Sequence, residues 1–230
     1  MPSAYWEEEF TKIGAFWFHD GRLKRPYVEL TNLREGRRQV SNGYFNGSVV
    51  QQHAKLFGEA CESLAAMATD ARISRWVPQR AYVIAAEKGG TALSQRLAEA
   101  LELGSGYAEK QADGKTLKFE RFTFEPGAVF ILAEDTITSG GTVGRLRQAA
   151  KAASPHSSFC LFVLAFCNRS GKKTLRLDGV EYHILSLVER PMLTWDLGKN
   201  PFTREASGGA ELVEPVKAKT HWRELTRPYD

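Results

Sequence analysis

The chain has 230 residues, 43% hydrophobic and 25% charged, with a formal net charge of +4. That length accommodates one sizeable α/β core or at most two small domains. A mild positive charge without a long basic run suits anionic small molecules and weighs against a dedicated nucleic-acid binder. The opening MPSAYWEEEF places acids where a secretory signal needs a basic segment and an apolar core. The longest apolar run, 159–167, is too short to span a membrane. Cys61, Cys160 and Cys167 form no disulfide framework and are expected as reduced core residues of a cytoplasmic protein.

Residues 5–18 begin as a short amphipathic helix and end in Phe16-Trp17-Phe18, expected to pack inward. A polar, basic turn covers 19–27, and 28–30 reads as a short strand. Leu33-Arg34-Glu35-Gly36-Arg37 and Ser41-Asn42-Gly43-Tyr44-Phe45-Asn46 follow. Apolar spacing predicts a helix over 50–68, with Leu56, Phe57, Ala60, Cys61, Leu64 and Met67 on one face. Next come a buried strand at 81–86, the turn Glu87-Lys88-Gly89-Gly90-Thr91, and a helix over 92–103 closed by Gly104. The charged stretch 107–122 holds the turn signal Asp113-Gly114 and reads as a hairpin arm or mobile loop.

Residues 129–133 (VFILA) are a continuous apolar run, hence a strand buried on both faces. Glu134 and Asp135 follow at once; the cost of desolvating two carboxylates places them at the strand's open mouth. Thr136 to Thr142 form a hydroxyl-rich turn with Gly140 and Gly141 in tandem, and 143–153 reads as a helix. A helix start with close-approaching glycines suits a phosphate. A further buried strand covers 158–166, then Asn168-Arg169-Ser170-Gly171, then an edge strand at 180–188. Residues 190–230 look like an irregular tail with Pro191, Pro201, Pro215, Pro228, Trp195 and Trp222.

Alternating strands and helices over 50–166 predict an α/β fold, a doubly wound, mainly parallel sheet with ligand turns at the strands' carboxyl ends. A single domain over 1–230 is expected, with its core at about 49–189 and a small hood from 1–48 and about 190–230.

No G-x-x-x-x-G-K-[ST] loop and no G-x-G-x-x-G turn is present. The stretch VFILAEDTITSGGT closely resembles instead the phosphoribosyl-pyrophosphate (PRPP) motif of type I phosphoribosyltransferases. The resemblance implies that Glu134 and Asp135 hold the ribose 2- and 3-hydroxyls, for which acceptor-only carboxylates are suited. It implies that Thr136, Thr138, Ser139, Gly140, Gly141 and Thr142 cradle the 5-phosphate. The strand-turn-helix around Lys88, Gly89 and Gly90 resembles the family's pyrophosphate turn. The A-E-K opening of the charged stretch resembles its flexible catalytic loop, with Lys110 matching residue for residue and Lys115 approximately.

Residues 33–46 are similar to the base-covering hood of orotate phosphoribosyltransferases, which puts Arg34, Tyr44 and Phe45 near the base. Arg34 stands where that family commonly has Lys, and Val40 where a polar or basic residue is usual. Asn168-Arg169-Ser170-Gly171 is similar to an Asp-Arg-Ser-Gly turn with a base-side Arg; Asn168 departs from the Asp.

The resemblance, over about 30–190, implies transfer of 5-phosphoribosyl from PRPP to orotate, a step of pyrimidine biosynthesis giving orotidine 5′-phosphate and pyrophosphate. Asp135, Lys110 and Lys115 would act in catalysis, and Arg169, Thr138, Tyr44, Phe45 and Arg34 would meet the base. Mg²⁺ would be held mainly through substrate, with no direct protein ligand set. No nucleic-acid or membrane partner is expected, and a homodimer is. Two alternatives stay open: a phosphoribosyltransferase for another nucleobase, and a non-catalytic PRPP-sensing regulator.

Overall fold

The computed structural model describes residues 3–19, 27–31, 38–71, 80–197 and 215–226. Two compact units emerge: Met1–Ile13 with Gly47–Arg190, and Gly14–Asn46 with Pro191–Asp230. In chain order the elements are α1 (Ser3–Lys12), β1 (Phe16–Phe18), β2 (Val28–Thr31), β3 (Arg38–Ser41), β4 (Gly43–Phe45), α2 (Gly47–Gln52), α3 (Ala54–Asp70) and β5 (Ala81–Ala86). They continue with α4 (Gly89–Leu101), β6 (Gly104–Lys110), β7 (Leu117–Lys118), β8 (Val129–Ile137), α5 (Gly141–Ala153), β9 (Ser158–Asn168), β10 (Thr174–Leu177), β11 (Val180–Glu189), β12 (Thr194–Asp196), β13 (Val216–Lys217) and α6 (Ala218–Thr226).

The first unit is built on a seven-stranded sheet ordered β10-β11-β9-β8-β5-β6-β7. Its five inner strands run parallel, and β7 and β10 are antiparallel at the edges. Ile84, Phe130, Ile131, Leu132, Val163 and Leu164 are fully buried, as strands covered on both faces require. Ile84, Leu132, Val163 and Ala165 share one face and pack with Val143, Leu146 and Ala150 of α5. The alternate residues face the other way. There Ala85 meets Gly90 of α4, and Phe166 meets Phe10 of α1 and Phe57 of α3 at ring distances of 5.9 and 5.8 Å. Helices on both faces make the sheet doubly wound, as expected.

Several boundaries differ from the sequence reading. Two helices replace the one expected over 50–68, because His53 leaves the helical region at φ −98°, ψ 77°. No Gly or Pro marks that break, so apolar spacing runs through it. Helix α4 starts at Gly89 rather than at residue 92, since Gly90 must lie flat on Ala85. β11 is an inner strand, not an edge; the short β10 lies outside it. β8 does not stop at Ala133 but stays in register with β9 as far as Ile137↔Asn168. A bulge interrupts that ladder: Phe130 pairs with Phe159 but Leu132 with Val163, leaving Leu161 51% exposed.

The second unit pairs β1 with β4 and holds a four-stranded sheet ordered β12-β3-β2-β13. The expected irregular tail thus supplies two strands and α6. Trp17, Val28, Ala218 and Leu225 form a core with Tyr44 and Trp222 against it. Trp17 Nε1 donates to the Leu225 carbonyl at 2.8 Å, which satisfies the one polar atom of a buried indole. Helix α1, assigned to the hood by sequence, falls in the first unit.

All three cysteines are free and buried. Burial pushes the Cys61 and Cys167 thiols up to about 12, which leaves them protonated packing groups. Among the described residues no helix is long and apolar enough to cross a membrane.

Candidate active site

From β5 the chain leaves through α4 toward β6; from β8 it leaves through α5 in the opposite direction, toward β9. Connections that part in this way open a crevice at the strands' carboxyl ends, where open α/β sheets bind ligands.

On the β8 side, pairing with β5 ends at Leu132↔Ile84 while pairing with β9 continues. Glu134, Asp135 and Thr136 therefore stand on a strand with one open edge. Successive strand residues face opposite ways, so Asp135 points to the α4 face and Glu134 to the α5 face. Asp135 lies against two backbones: a Cβ at Gly47 or Gly89 would come within 2.5 or 2.8 Å of Asp135 Oδ2. Gln51 Nε2 donates to the Gly89 carbonyl at 2.6 Å, tying α2 to the start of α4. Thr136 Oγ1 is buried and without a hydrogen-bond partner among the described residues. Thr138 and Ser139 are exposed. Gly140 caps α5 in the left-handed region at φ 76°, and a Cβ there would meet Leu175 Cδ2 at 2.9 Å. Arg145 donates through a terminal nitrogen to Thr142 Oγ1 at 3.3 Å. A hydroxyl that accepts from Arg145 has its own proton to give elsewhere. The first N–H groups of α5 lack helical acceptors and lie at the positive end of its dipole, so the whole turn is disposed toward an anion.

On the β5 side, Lys88 precedes α4 at φ 69°, ψ −95°, a strained conformation for a residue with a side chain. Glu87 N–H donates to the Ala108 carbonyl at 2.9 Å, holding the turn to β6. β6 and β7 form a hairpin in which Lys110 pairs with Leu117. The tip is ordered: Gln111 N–H donates to the Thr116 carbonyl at 2.9 Å, and Asp113 Oδ1 accepts from the N–H groups of Lys115 and Thr116, both at 2.8 Å. The Thr116 hydroxyl and these N–H groups hold the Asp113 carboxyl down at about 2. Lys88, Lys110 and Lys115 are exposed, and among the described residues none is in an ion pair.

After β9, Asn168 builds the turn that follows it. Its Oδ1 accepts from Ser170 N–H and Oγ at 3.1 and 2.6 Å, while its Nδ2 donates to the Lys172 carbonyl at 2.8 Å. An ionised Asp could keep the accepting half but not the donating half, which gives a physical reason for the amide here. Arg169 N–H donates to the Ile137 carbonyl at 3.0 Å, and its side chain is buried at 4% exposure. In the second unit Phe45 is buried against Phe16, at a ring distance of 4.9 Å, and Tyr44 packs on Trp222 at 5.7 Å. Arg34 lies outside the described residues.

The structure thus brings Lys88, Gly89, Gly90 and the residues from Glu134 to Thr142 to one sheet edge. Three residues of this edge escaped the sequence reading: Gly47, Gln51 and Arg145. Gly47 and Gln51 are far from both turns in sequence, and only Arg145, one turn into α5, was within reach of the motif.

No family model matches the chain. An orotate phosphoribosyltransferase structure from Aeropyrum pernix superposes with a TM-score of 0.53 at 15% identity, over 80% of this chain and 93% of that one. An adenine phosphoribosyltransferase structure from Rhodothermus marinus gives 0.52 at 16% identity, over 81% and 99%. These two establish the fold. In sequence, an orotate phosphoribosyltransferase of Pelotomaculum thermopropionicum is 34% identical over 140 residues, 61% of this chain and 67% of the relative. One of Thermus thermophilus is 31% identical over 165 residues, 69% of this chain and 83% of the relative. The chain belongs to the type I phosphoribosyltransferases, a family of enzymes. Within that family, both of these sequence relatives carry the name orotate phosphoribosyltransferase.

Proposed function

We propose that the chain transfers 5-phosphoribosyl from PRPP to orotate, yielding orotidine 5′-phosphate and pyrophosphate. The observation that carries it is the acid pair beyond the last β5–β8 pair, leading through a hydroxyl turn into the start of α5. The names of the sequence relatives support orotate as the base.

In this reading the α5 turn holds the 5-phosphate through backbone N–H groups and the hydroxyls of Thr138, Ser139 and Thr142. Glu134 and Asp135 accept from the ribose hydroxyls and ease positive charge on an oxocarbenium-like ring. Lys88, Lys110 and Lys115 meet negative charge that grows on the departing pyrophosphate. Orotate is already anionic, so its attack on the ribose carbon needs no strong general base. Among the described residues no three His, Cys, Asp or Glu side chains gather into a cation site. Glu134 and Asp135 point to opposite faces of β8 and do not grip one cation together, which suits an Mg²⁺ that keeps water and substrate oxygens around it. Held mainly by PRPP beside Glu134 and Asp135, Mg²⁺ would neutralise the leaving group. A homodimer is part of the same proposal and is checked by molecular mass in solution.

One observation favours a second reading, a different nucleobase: Arg169, the base-side cation of the resemblance, is almost fully buried. Pyrophosphate release from PRPP with orotate, uracil, hypoxanthine or adenine separates the two. Turnover with orotate alone supports the first reading, and turnover with another base replaces it. In the first case Arg169→Ala raises the KM for orotate while PRPP binding holds, and Arg169→Lys rescues only in part because it lacks the guanidinium fork.

A further inference from the structure

Gly47 has no backbone need to be glycine. It begins α2 without a left-handed φ, a position open to any residue. What forbids a side chain there is Asp135: a Cβ at Gly47 would lie 2.5 Å from Oδ2, 2.8 Å from Cβ and 3.0 Å from Cγ of that residue. A Cβ at Gly89 would meet the same carboxylate, at 2.8 Å from Oδ2. The acid therefore lies in close contact with two main chains, one at each helix start. Four residues further along α2, Gln51 spans to the Gly89 carbonyl at 2.6 Å. Both ends of α2 thus address one place, the junction of the β5 turn with the β8 acid.

We infer that α2 is a positioning strut for PRPP: Gly47 sets where the Asp135 carboxylate stands, and Gln51 fixes the Lys88-Gly89 turn against it. Neither residue touches substrate. A side chain at position 47 drives the carboxylate away from the ribose diol, and loss of the Gln51 amide frees the turn that holds pyrophosphate. The inference rests on the PRPP reading proposed above, and its test separates the two.

PRPP affinity is measured by titration calorimetry for the wild type, Gly47→Ala, Asp135→Gly and the double variant, with melting temperatures alongside. Hydrogen bonds from a hydroxyl to a charged carboxylate are worth on the order of 10-fold to 10²-fold in affinity. Gly47→Ala is accordingly expected to weaken PRPP by about 10-fold to 10²-fold. In the Asp135→Gly background, where the Cβ, Cγ and Oδ2 that a residue-47 Cβ would strike are all gone, the same substitution should add almost nothing. The melting temperature should fall with Gly47→Ala in the wild type and by clearly less once Asp135 is truncated. A full additive loss of PRPP affinity in the double variant overturns the inference. So does an unchanged affinity in a folded Gly47→Ala protein. Should Gly47→Ala fail to fold, Gln51→Leu decides: several-fold weaker PRPP supports the strut, and wild-type affinity overturns it. If the wild type binds no PRPP at all, the functional reading fails instead, and the melting-temperature coupling of positions 47 and 135 still decides the contact.

Discussion

The two ligand turns follow one plan, strand then tight turn then helix, but handle charge and strain in opposite ways. Before α5 the left-handed position is filled by Gly140 at φ 76°, which bears it at no steric cost. Before α4 the positive φ falls on Lys88, at φ 69°, ψ −95°, outside the left-handed helical well, where a side chain costs on the order of 1–3 kcal/mol. The segment from Glu134 to Thr142 holds two acids and several hydroxyls and no cation; the β5 turn and the β6–β7 hairpin hold Lys88, Lys110 and Lys115. A relaxed, neutral-to-acidic turn suits a group that stays bound through the reaction. A strained, cationic one suits a group that leaves with its charge. In the proposed PRPP reading the same topology would serve two ends of one substrate through residue choice alone.

The largest expected effect tests the acidic side. Glu134→Gln with Asp135→Asn keeps shape and removes both charges; turnover should vanish while the protein melts near the wild-type temperature. Because the two carboxylates face opposite sides of the sheet, the single variants should differ, with Asp135→Asn the more damaging. Near-normal rates in the double variant would end the PRPP assignment. Next comes the cationic side. Lys110→Ala with Lys115→Ala should lower kcat by about 10²-fold, the scale of a lost charge stabiliser in a closed site. PRPP affinity should change far less, as for an interaction made mainly in the transition state. If affinity falls equally and kcat holds, the hairpin is a ground-state clamp.

Two smaller effects compare the strain directly. Gly140→Ala forces a Cβ into the left-handed region and against Leu175, and should destabilise by about 1–3 kcal/mol in chemical denaturation. Lys88→Gly should do the reverse. Relief of strain offsets the added freedom of the unfolded chain, about 0.5–1 kcal/mol, so stability should stay level or rise slightly while pyrophosphate release slows. A Lys88→Gly protein that melts well below the wild type would show that the lysine side chain, not its backbone, holds that turn.

Much of this edge was legible in sequence because its information is local. An apolar run, an acid pair, a hydroxyl turn and an amphipathic helix are contiguous from residue 129 to residue 153, so periodicity and residue type suffice. The fold followed from repetition of that unit. What escaped reading depends on distant partners. Gly47 is glycine because of a carboxylate 88 positions later, and nothing near it says so. The β10 strand alternates, Thr-Leu-Arg-Leu, but four residues are too few for the pattern to stand out; pairing with β11 makes it a strand. The extension of β8 through Ile137 was hidden because polar residues at a strand end read as a turn, although the ladder to β9 carries them.

The bulge between β8 and β9 gives the site an arithmetic of deletions. Three β9 residues, 160–162, stand opposite Ile131 alone, so β9 carries two residues more than a regular ladder needs. Two is an even number, and side chains alternate with period two. Beyond the bulge β9 therefore presents the faces it would have shown without it, and Asn168 and Arg169 arrive opposite the acid strand in the parity of an uninterrupted ladder. Excising Cys160 and Leu161 together should straighten the strand and leave that parity intact, since the pairing of Phe162 with His183 lies beyond the cut. Excising Leu161 alone leaves one extra residue and should turn every later β9 side chain to the other face of a sheet covered on both, so that closely packed positions from Val163 to Cys167 are exchanged between its two cores. In this strand the shorter cut is the lethal one.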